Sequence, residues 1–189
     1  MSAVKNIRSL SLIELKEYFE SIGDKKFRAI QAYEWLWKKN ARSFDDMSNL
    51  SLDLRKKLAE EFEFNTMTVD TTQHSSDGTL KSRFKTFDGH LLEGVIIPTE
   101  KRNTACVSSQ IGCSLACKFC ATGTMKFGRN LKGEEIADQI LFYAQLLQKE
   151  NKKISNIVFM GMGEPFMNYD NVLESVRIMN DKDGLNIGA

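Results

Sequence analysis

Leu15, Tyr18, Phe19 and Ile22 recur three and four positions apart, the spacing of one buried stripe on a helix. Ser11 with Glu14 supplies a capping box ahead of them, and Gly23 can end the run. A second helix is predicted over residues 27–40, with Phe27, Ile30, Tyr33, Leu36 and Trp37 at helical spacing, and a third from a Ser51 cap through Leu54, Leu58 and Phe62. On that periodicity the aromatic residues belong to a core. Residues 1–65 therefore read as a small helical domain.

Beyond residue 65 the period changes. Residues 68–72 are strand-like, residues 75–79 (Ser-Ser-Asp-Gly-Thr) are turn chemistry, and the runs 80–87 and 91–97 flank Asp88-Gly89, a strong hairpin turn. A short antiparallel β adaptor is expected over 66–100. From 101 to 189 strands and helices alternate. A strand at 106–111 leads into a cysteine loop and then a helix at 133–150, which carries Ile136, Ala137, Ile140, Leu141, Ala144 and Leu147 on one stripe. An apolar strand at 154–160, suited to burial on both faces, precedes the loop Gly161-Met162-Gly163-Glu164-Pro165 and a helix at 170–180. The order is βαβα, so the fold class is α/β. With parallel strands and a right-handed crossover, both loops emerge at one carboxyl edge, where such sheets and barrels bind ligands.

Composition narrows the class but not the partner. In 189 residues, 42% hydrophobic and 27% charged, with 12 Gly and 2 Pro, the balance is that of a soluble globular chain. The net charge of +1 creates no field favouring a nucleic acid or an anionic membrane. Lys25, Lys26, Arg28, Lys38, Lys39, Arg55, Lys56 and Lys57 could follow a phosphate backbone, but nearby acidic residues nearly cancel them and a solvated face is the simpler reading. The first residues lack a secretory h-region, and no apolar run approaches the ~20 residues of a membrane span, so a cytoplasmic protein is expected. Four cysteines, Cys106, Cys113, Cys117 and Cys120, fall in one short segment, which in a reducing compartment argues for a metal.

Cys113, Cys117 and Cys120 have the form C-x3-C-x2-C. Three thiolates on one tight loop can each bind one iron of a four-iron cube and leave the fourth iron open to the amino and carboxylate groups of a small molecule. From spacing alone two alternatives stay open: Cys106 joins them in a closed zinc site or closed cluster, or the thiols are inert. By itself the glycine loop equally suits an ordinary strand-to-helix turn.

The cysteine spacing, with Phe119 just before the last cysteine, resembles the cluster loop of the radical S-adenosylmethionine (radical SAM) enzymes. That resemblance implies a [4Fe-4S] cluster on Cys113, Cys117 and Cys120 whose open iron holds SAM, and one-electron cleavage of SAM to a 5′-deoxyadenosyl radical. Gly161, Gly163 and Glu164 sit where that family holds the SAM amino group, and Phe119 completes the cofactor-binding set. Longer stretches, residues 106–113, 117–122 and 159–165, with residues 75–79, the strand 93–98, and Phe27-Arg28 and Trp35-Leu36-Trp37, resemble the RlmN/Cfr family of RNA methyltransferases over nearly the whole chain. Pro165 is more similar to the RlmN branch, acting at C2 of an adenine in 23S rRNA and tRNA, than to the Cfr branch, acting at C8.

The resemblance implies a partial (β/α) barrel preceded by an RNA-facing helical domain and the β adaptor, with a flavodoxin-type protein as electron donor and no membrane partner. It implies a methyl group placed first on a cysteine, then carried as a carbon radical onto the base through a covalent RNA–protein intermediate. C2 of adenine is electron-poor, so simple displacement on the SAM methyl is not available there. Glu93 matches the family's proton acceptor, and Cys106 the cysteine that pairs transiently with the methyl-carrying one. Without the resemblance these are one polar position of a half-buried strand and a buried strand cysteine. The methyl-carrying cysteine lies far downstream in the family, and no cysteine follows Cys120. An amino-terminal piece is therefore expected, inactive alone, its second barrel strand an uncovered edge and its product marginally stable or self-associating. Residues 185–189 are expected to open a further strand. The rivals are a zinc or iron–sulfur RNA-binding module without catalysis, a Cfr-like methyltransferase acting at C8, and a radical SAM enzyme acting on a small molecule.

Overall fold

In the computed structural model, which describes residues 4–188, the helical stripe and its cap form as the sequence predicts. After β1 (Lys5–Asn6), the Ser11 hydroxyl accepts the Glu14 N–H and the Glu14 carboxylate accepts the Ser11 N–H, which starts α1 (Leu12–Ser21). α2 (Lys26–Trp37) stops earlier than expected, and Asn40 beyond it lies in the left-handed region at φ 51°. The Ser51 hydroxyl caps α3 (Leu52–Glu61), but Phe62, expected on that helix, opens β2 (Phe62–Glu63), parallel to β1. Residues 4–65, with those from 179 on, form one compact unit, with Ile7, Leu15, Phe19, Leu36, Trp37, Met47 and Leu58 fully covered. The Arg8 guanidinium stacks 4.5 Å over the Trp37 ring. Phe27 departs from the expected core: it is exposed, with Arg28 over its ring. Residues 185–188 form no strand, and Ile187 N–H bonds back to the Met179 carbonyl; Met1–Ala3 and Ala189 lie outside the described residues.

Residues 66–178 form the second unit. Its strands are β3 (Thr68–His74), β4 (Leu80–Lys85), β5 (Leu91–Pro98), β6 (Asn103–Cys106), β7 (Gln110–Ile111), β8 (Arg129–Asn130) and β9 (Asn156–Val158), and its helices α4 (Gly133–Gln148) and α5 (Tyr169–Asn180). One mixed sheet runs β3-β4-β5-β6-β9, antiparallel except for β6 and β9, which are parallel and joined through α4. The sheet is continuous across residue 100, so the adaptor strands and the first barrel strand share one hydrogen-bonded ladder. One face is apolar: Leu80, Phe84, Leu92, Ile96 and Ala105 are buried, and the Phe84 ring meets Phe142 and Tyr143 of α4 edge-on at 5.4 and 5.9 Å. The other face carries the half-exposed alternate residues, Lys81, Glu93, Val95 and Cys106 among them.

Two predicted strands are corrected. The strand expected at 106–111 ends at Cys106, because the backbone of Ser108 is taken by the Gln139 side chain and leaves the ladder; Gln110–Ile111 pair instead with β8. The strand expected at 154–160 is three residues long and not buried on both faces: β9 has β6 on one side, and Met160 is exposed. Among the described residues no helix is long and apolar enough to cross a membrane.

Candidate metal and cofactor site

The cysteine loop leaves β7 at Gly112 and returns at Gly128, closed at its base by the β7–β8 pair and by Gly128 N–H bonding to the Ile111 carbonyl at 2.8 Å. Gly112 has φ +71°, and a Cβ there would collide with the Lys126 carbonyl oxygen, so the two limbs of the loop touch backbone to backbone. Cys113, Cys117 and Cys120 are free and half-exposed on this loop. The Cys117 carbonyl accepts the Cys120 N–H and the Cys120 carbonyl accepts the Gly123 N–H, each at 3.0 Å, which winds the segment tightly. Backbone N–H groups of Gly123 and Thr122 aimed at its sulfur hold the Cys120 thiol below the ordinary cysteine range, as suits a thiolate ligand. The loop brings the thiols together in sequence but does not converge them: among the described residues no three His, Cys, Asp or Glu side chains are gathered to hold a metal ion. Phe119 is 94% exposed, so its ring is free to meet a ligand.

The base of the loop is pinned by Arg129. Its Nε and Nη2 donate to the two Asp88 oxygens at 2.7 and 2.9 Å, and its Nη1 and Nη2 donate to the two Glu135 oxygens at 2.7 and 2.8 Å. Glu135 in turn accepts the Lys132 N–H at the start of α4, and Asp88 sits in the hairpin turn between β4 and β5. The Arg129 guanidinium, above all, holds the Asp88 carboxyl well below the usual carboxylate range, with Thr86 and His90 adding to it against the opposing effect of burial. A carboxylate depressed in the fold stabilises it above the unfolded value, about 4, and that stability is lost as pH falls towards the folded value. Thermal midpoints are therefore expected to drop between about pH 5 and about pH 3, and Asp88→Asn to flatten that slope; an unchanged slope in the variant assigns the acid loss elsewhere.

The glycine loop follows β9 and is bonded to the segment that follows β6. The Met162 carbonyl accepts the N–H groups of Ser109 and Gln110 at 2.9 and 3.2 Å, Met162 N–H donates to the Ser108 hydroxyl at 2.8 Å, and Glu164 N–H donates to Gln110 Oε1 at 2.9 Å. The glycines are explained by this neighbour: Gly163 has φ +96°, and a Cβ on it would stand 2.5 Å from Gln110 Cβ. Glu164 Oε1 accepts the Phe166 N–H, which orients the carboxylate.

Glu93 and Cys106 share one face of the sheet, because Val95, two residues from Glu93, is the direct ladder partner of Cys106. Lys81 Nζ is 3.0 Å from Glu93 Oε1. Burial pushes the Cys106 thiol up, opposed by the Met160 N–H that bonds it. Cys106 thus stands in β6, off the loop of the other three cysteines.

The expected juxtaposition of the two loops at the carboxyl ends of β6 and β9 is present, and the side chains that make it are ones to which no function was assigned from sequence. Ser108 Oγ donates to the Glu93 carbonyl at 2.5 Å while accepting from Met162 N–H, and the Gln139 amide bonds both backbone groups of Ser108. Asn168 donates to the carbonyls of Ser109 and Leu131 at 2.8 and 2.7 Å. The available signal was polarity inside segments predicted to be buried, since a buried amide or hydroxyl must find partners.

Residues 5–64 match the family model described as Ribosomal RNA large subunit methyltransferase N-terminal domain, and residues 107–188 match that of the Radical SAM superfamily. The chain is 50% identical over 186 residues to the probable dual-specificity RNA methyltransferase RlmN of Cytophaga hutchinsonii, covering 98% of this chain and 51% of that protein. It is 42% identical over 184 residues to the protein of the same description from Bacillus cytotoxicus, covering 97% and 51%. A crystal structure of a radical SAM methyltransferase from Sphaerobacter thermophilus superimposes with a TM-score of 0.90 at 37% identity, over 98% of this chain and 55% of that one. The chain spans about half the length of the curated relatives it matches.

Proposed function

We propose that this chain, which belongs to the RlmN/Cfr family of radical SAM RNA methyltransferases, carries the cluster-holding and SAM-holding part of an enzyme that methylates C2 of adenine in 23S rRNA and tRNA. The observation that supports it most is the hydrogen bonding of the cysteine-loop base to the glycine loop at one sheet edge. In this reading Cys113, Cys117 and Cys120 hold a [4Fe-4S] cluster, and the donor set fits: three free thiols on one loop, one of them biased towards thiolate. Held there and reduced, such a cluster would supply one-electron chemistry towards the SAM sulfonium.

The remaining roles belong to the chain's own groups. The backbone at Gly161 and Gly163 and the Glu164 carboxylate take the SAM ammonium, and Phe119 offers a ring to the cofactor. Glu93 accepts the proton that leaves the adenine carbon, and Cys106, on the same face, is the thiol that helps release the product. Residues 1–65 serve as an RNA-facing accessory domain, 66–100 as the adaptor and 101–189 as the first part of the barrel. The setting is cytoplasmic, with a flavodoxin-type protein as reductant.

Anaerobic reconstitution is expected to load about four irons and four sulfides per chain. Cys113→Ala, Cys117→Ala or Cys120→Ala should abolish loading, and Cys106→Ser should keep it, because a three-cysteine cluster does not need the strand thiol. A single zinc held by all four cysteines, lost in Cys106→Ser, overturns the reading and leaves an RNA-binding module.

A further inference from the structure

We infer that Gln110 is a positioning residue that couples the cysteine loop to the glycine loop, so that occupancy of the thiols is transmitted to the backbone that receives the SAM ammonium. The inference rests on the proposed function in one respect, that the two loops serve one bound ligand pair. Gln110 is 1% exposed, and both ends of its amide are used. Nε2 donates to Asn130 Oδ1 at 2.7 Å, on the strand that closes the cysteine loop, and Oε1 accepts the Glu164 N–H at 2.9 Å, in the glycine loop. Its Cβ and Cγ also fill the space that a side chain on Gly163 would need.

The geometry makes this link a specific one. Asn130 cannot turn its amide round without giving up the bond from its Nδ2 to the Met167 carbonyl at 3.3 Å, so Gln110 must present a donor to Asn130 and an acceptor to Glu164. Only a primary amide does both at this length. A displacement of Asn130, one residue from the Arg129 anchor, is therefore carried through a rigid, buried group to the Glu164 amide. Met162, held by the Ser108 hydroxyl rather than by the Gln110 side chain, has a second tie that does not pass through Asn130.

Gln110→Glu is the selective test, because a carboxylate keeps the acceptor for Glu164 N–H and loses the donor to Asn130. The probe is diamagnetic Cd²⁺, titrated onto the reduced full chain with thiolate absorbance following binding and assigned amide resonances following the backbone. In the native chain, Cd²⁺ binding is expected to move the Gly163 and Glu164 resonances. In Gln110→Glu the movement at Glu164 should be lost while Cd²⁺ still binds with comparable affinity, and any movement at Gly163 that runs through the backbone bonds to the Met162 carbonyl should remain. Asn130→Ala cuts the same link from the other side and should behave alike, which keeps the test usable if one variant fails to fold. Equal movement at Glu164 in the native chain and both variants, or none there in the native chain despite Cd²⁺ binding, overturns the coupling while sparing the cluster assignment. Failure of the thiols to bind Cd²⁺ at all removes the functional reading and the coupling with it.

Discussion

Replacing Gly112 with alanine is expected to destabilise the second unit by about 3 kcal/mol, the sum of a left-handed residue forced to carry a Cβ and an overpacked contact. The contact cannot relax by a rotamer change, because the atoms in the way are backbone: the Lys126 carbonyl and, at 3.1 Å, the Cα of Phe127. Relief requires opening the two limbs of the cysteine loop, so the variant should also fail to retain iron after reconstitution. Gly89→Ala is the internal control. Its φ of +87° is as unfavourable, but nothing lies within 4 Å of a Cβ there, so its cost should be the conformational part alone, about 1 kcal/mol. Urea unfolding of the two variants separates these effects; equal losses would show that crowding at Gly112 contributes nothing.

Arg129→Met is expected to cost about 3 kcal/mol, the lower end of the roughly 3–5 kcal/mol for removing one partner from a buried ion pair, because Arg129 and Asp88 keep some contact with solvent. The loss comes less from the bonds given up than from what remains: Asp88 and Glu135 left facing one another, with Glu135 only 7% exposed in its side chain. Adding Asp88→Asn and Glu135→Gln in the same background should recover part of the loss, since Gln at 135 can still accept the Lys132 N–H that starts α4. If the triple variant is no more stable than Arg129→Met alone, stranded charge is not the cause. Thiol alkylation of Cys113, Cys117 and Cys120 should become faster in Arg129→Met, as the base of their loop loosens.

Much of the architecture was legible because it depends on short-range chemistry. The Ser11–Glu14 box, the Ser51 cap and the Asp88-Gly89 turn act within four residues of themselves, so a local reading finds them. The α4 stripe and the parallel pairing of β6 with β9 follow from periodicity and crossover handedness. In two of the places where the reading failed, a partner distant in sequence intervened. Phe62 leaves its helix to pair with Lys5, and the segment after Cys106 leaves the sheet because Gln139, 31 residues from Ser108, takes its backbone. Polar residues inside an apolar run look alike from sequence whether they face solvent or a buried amide.

The order of residues alone established the α/β class, three thiols at C-x3-C-x2-C spacing and a glycine-rich turn after the next strand, because each is a matter of residue type and interval. The fold alone settled that the base of the cysteine loop and the glycine loop are tied through Gln110, and that Arg129 is shared between Asp88 and Glu135. It also settled that Cys106 and Glu93 lie on one face of the sheet while the other three cysteines lie on the loop between β7 and β8. Those relations join positions between 6 and 54 residues apart, and hydrogen bonds of that reach exist only once packing has brought their ends together.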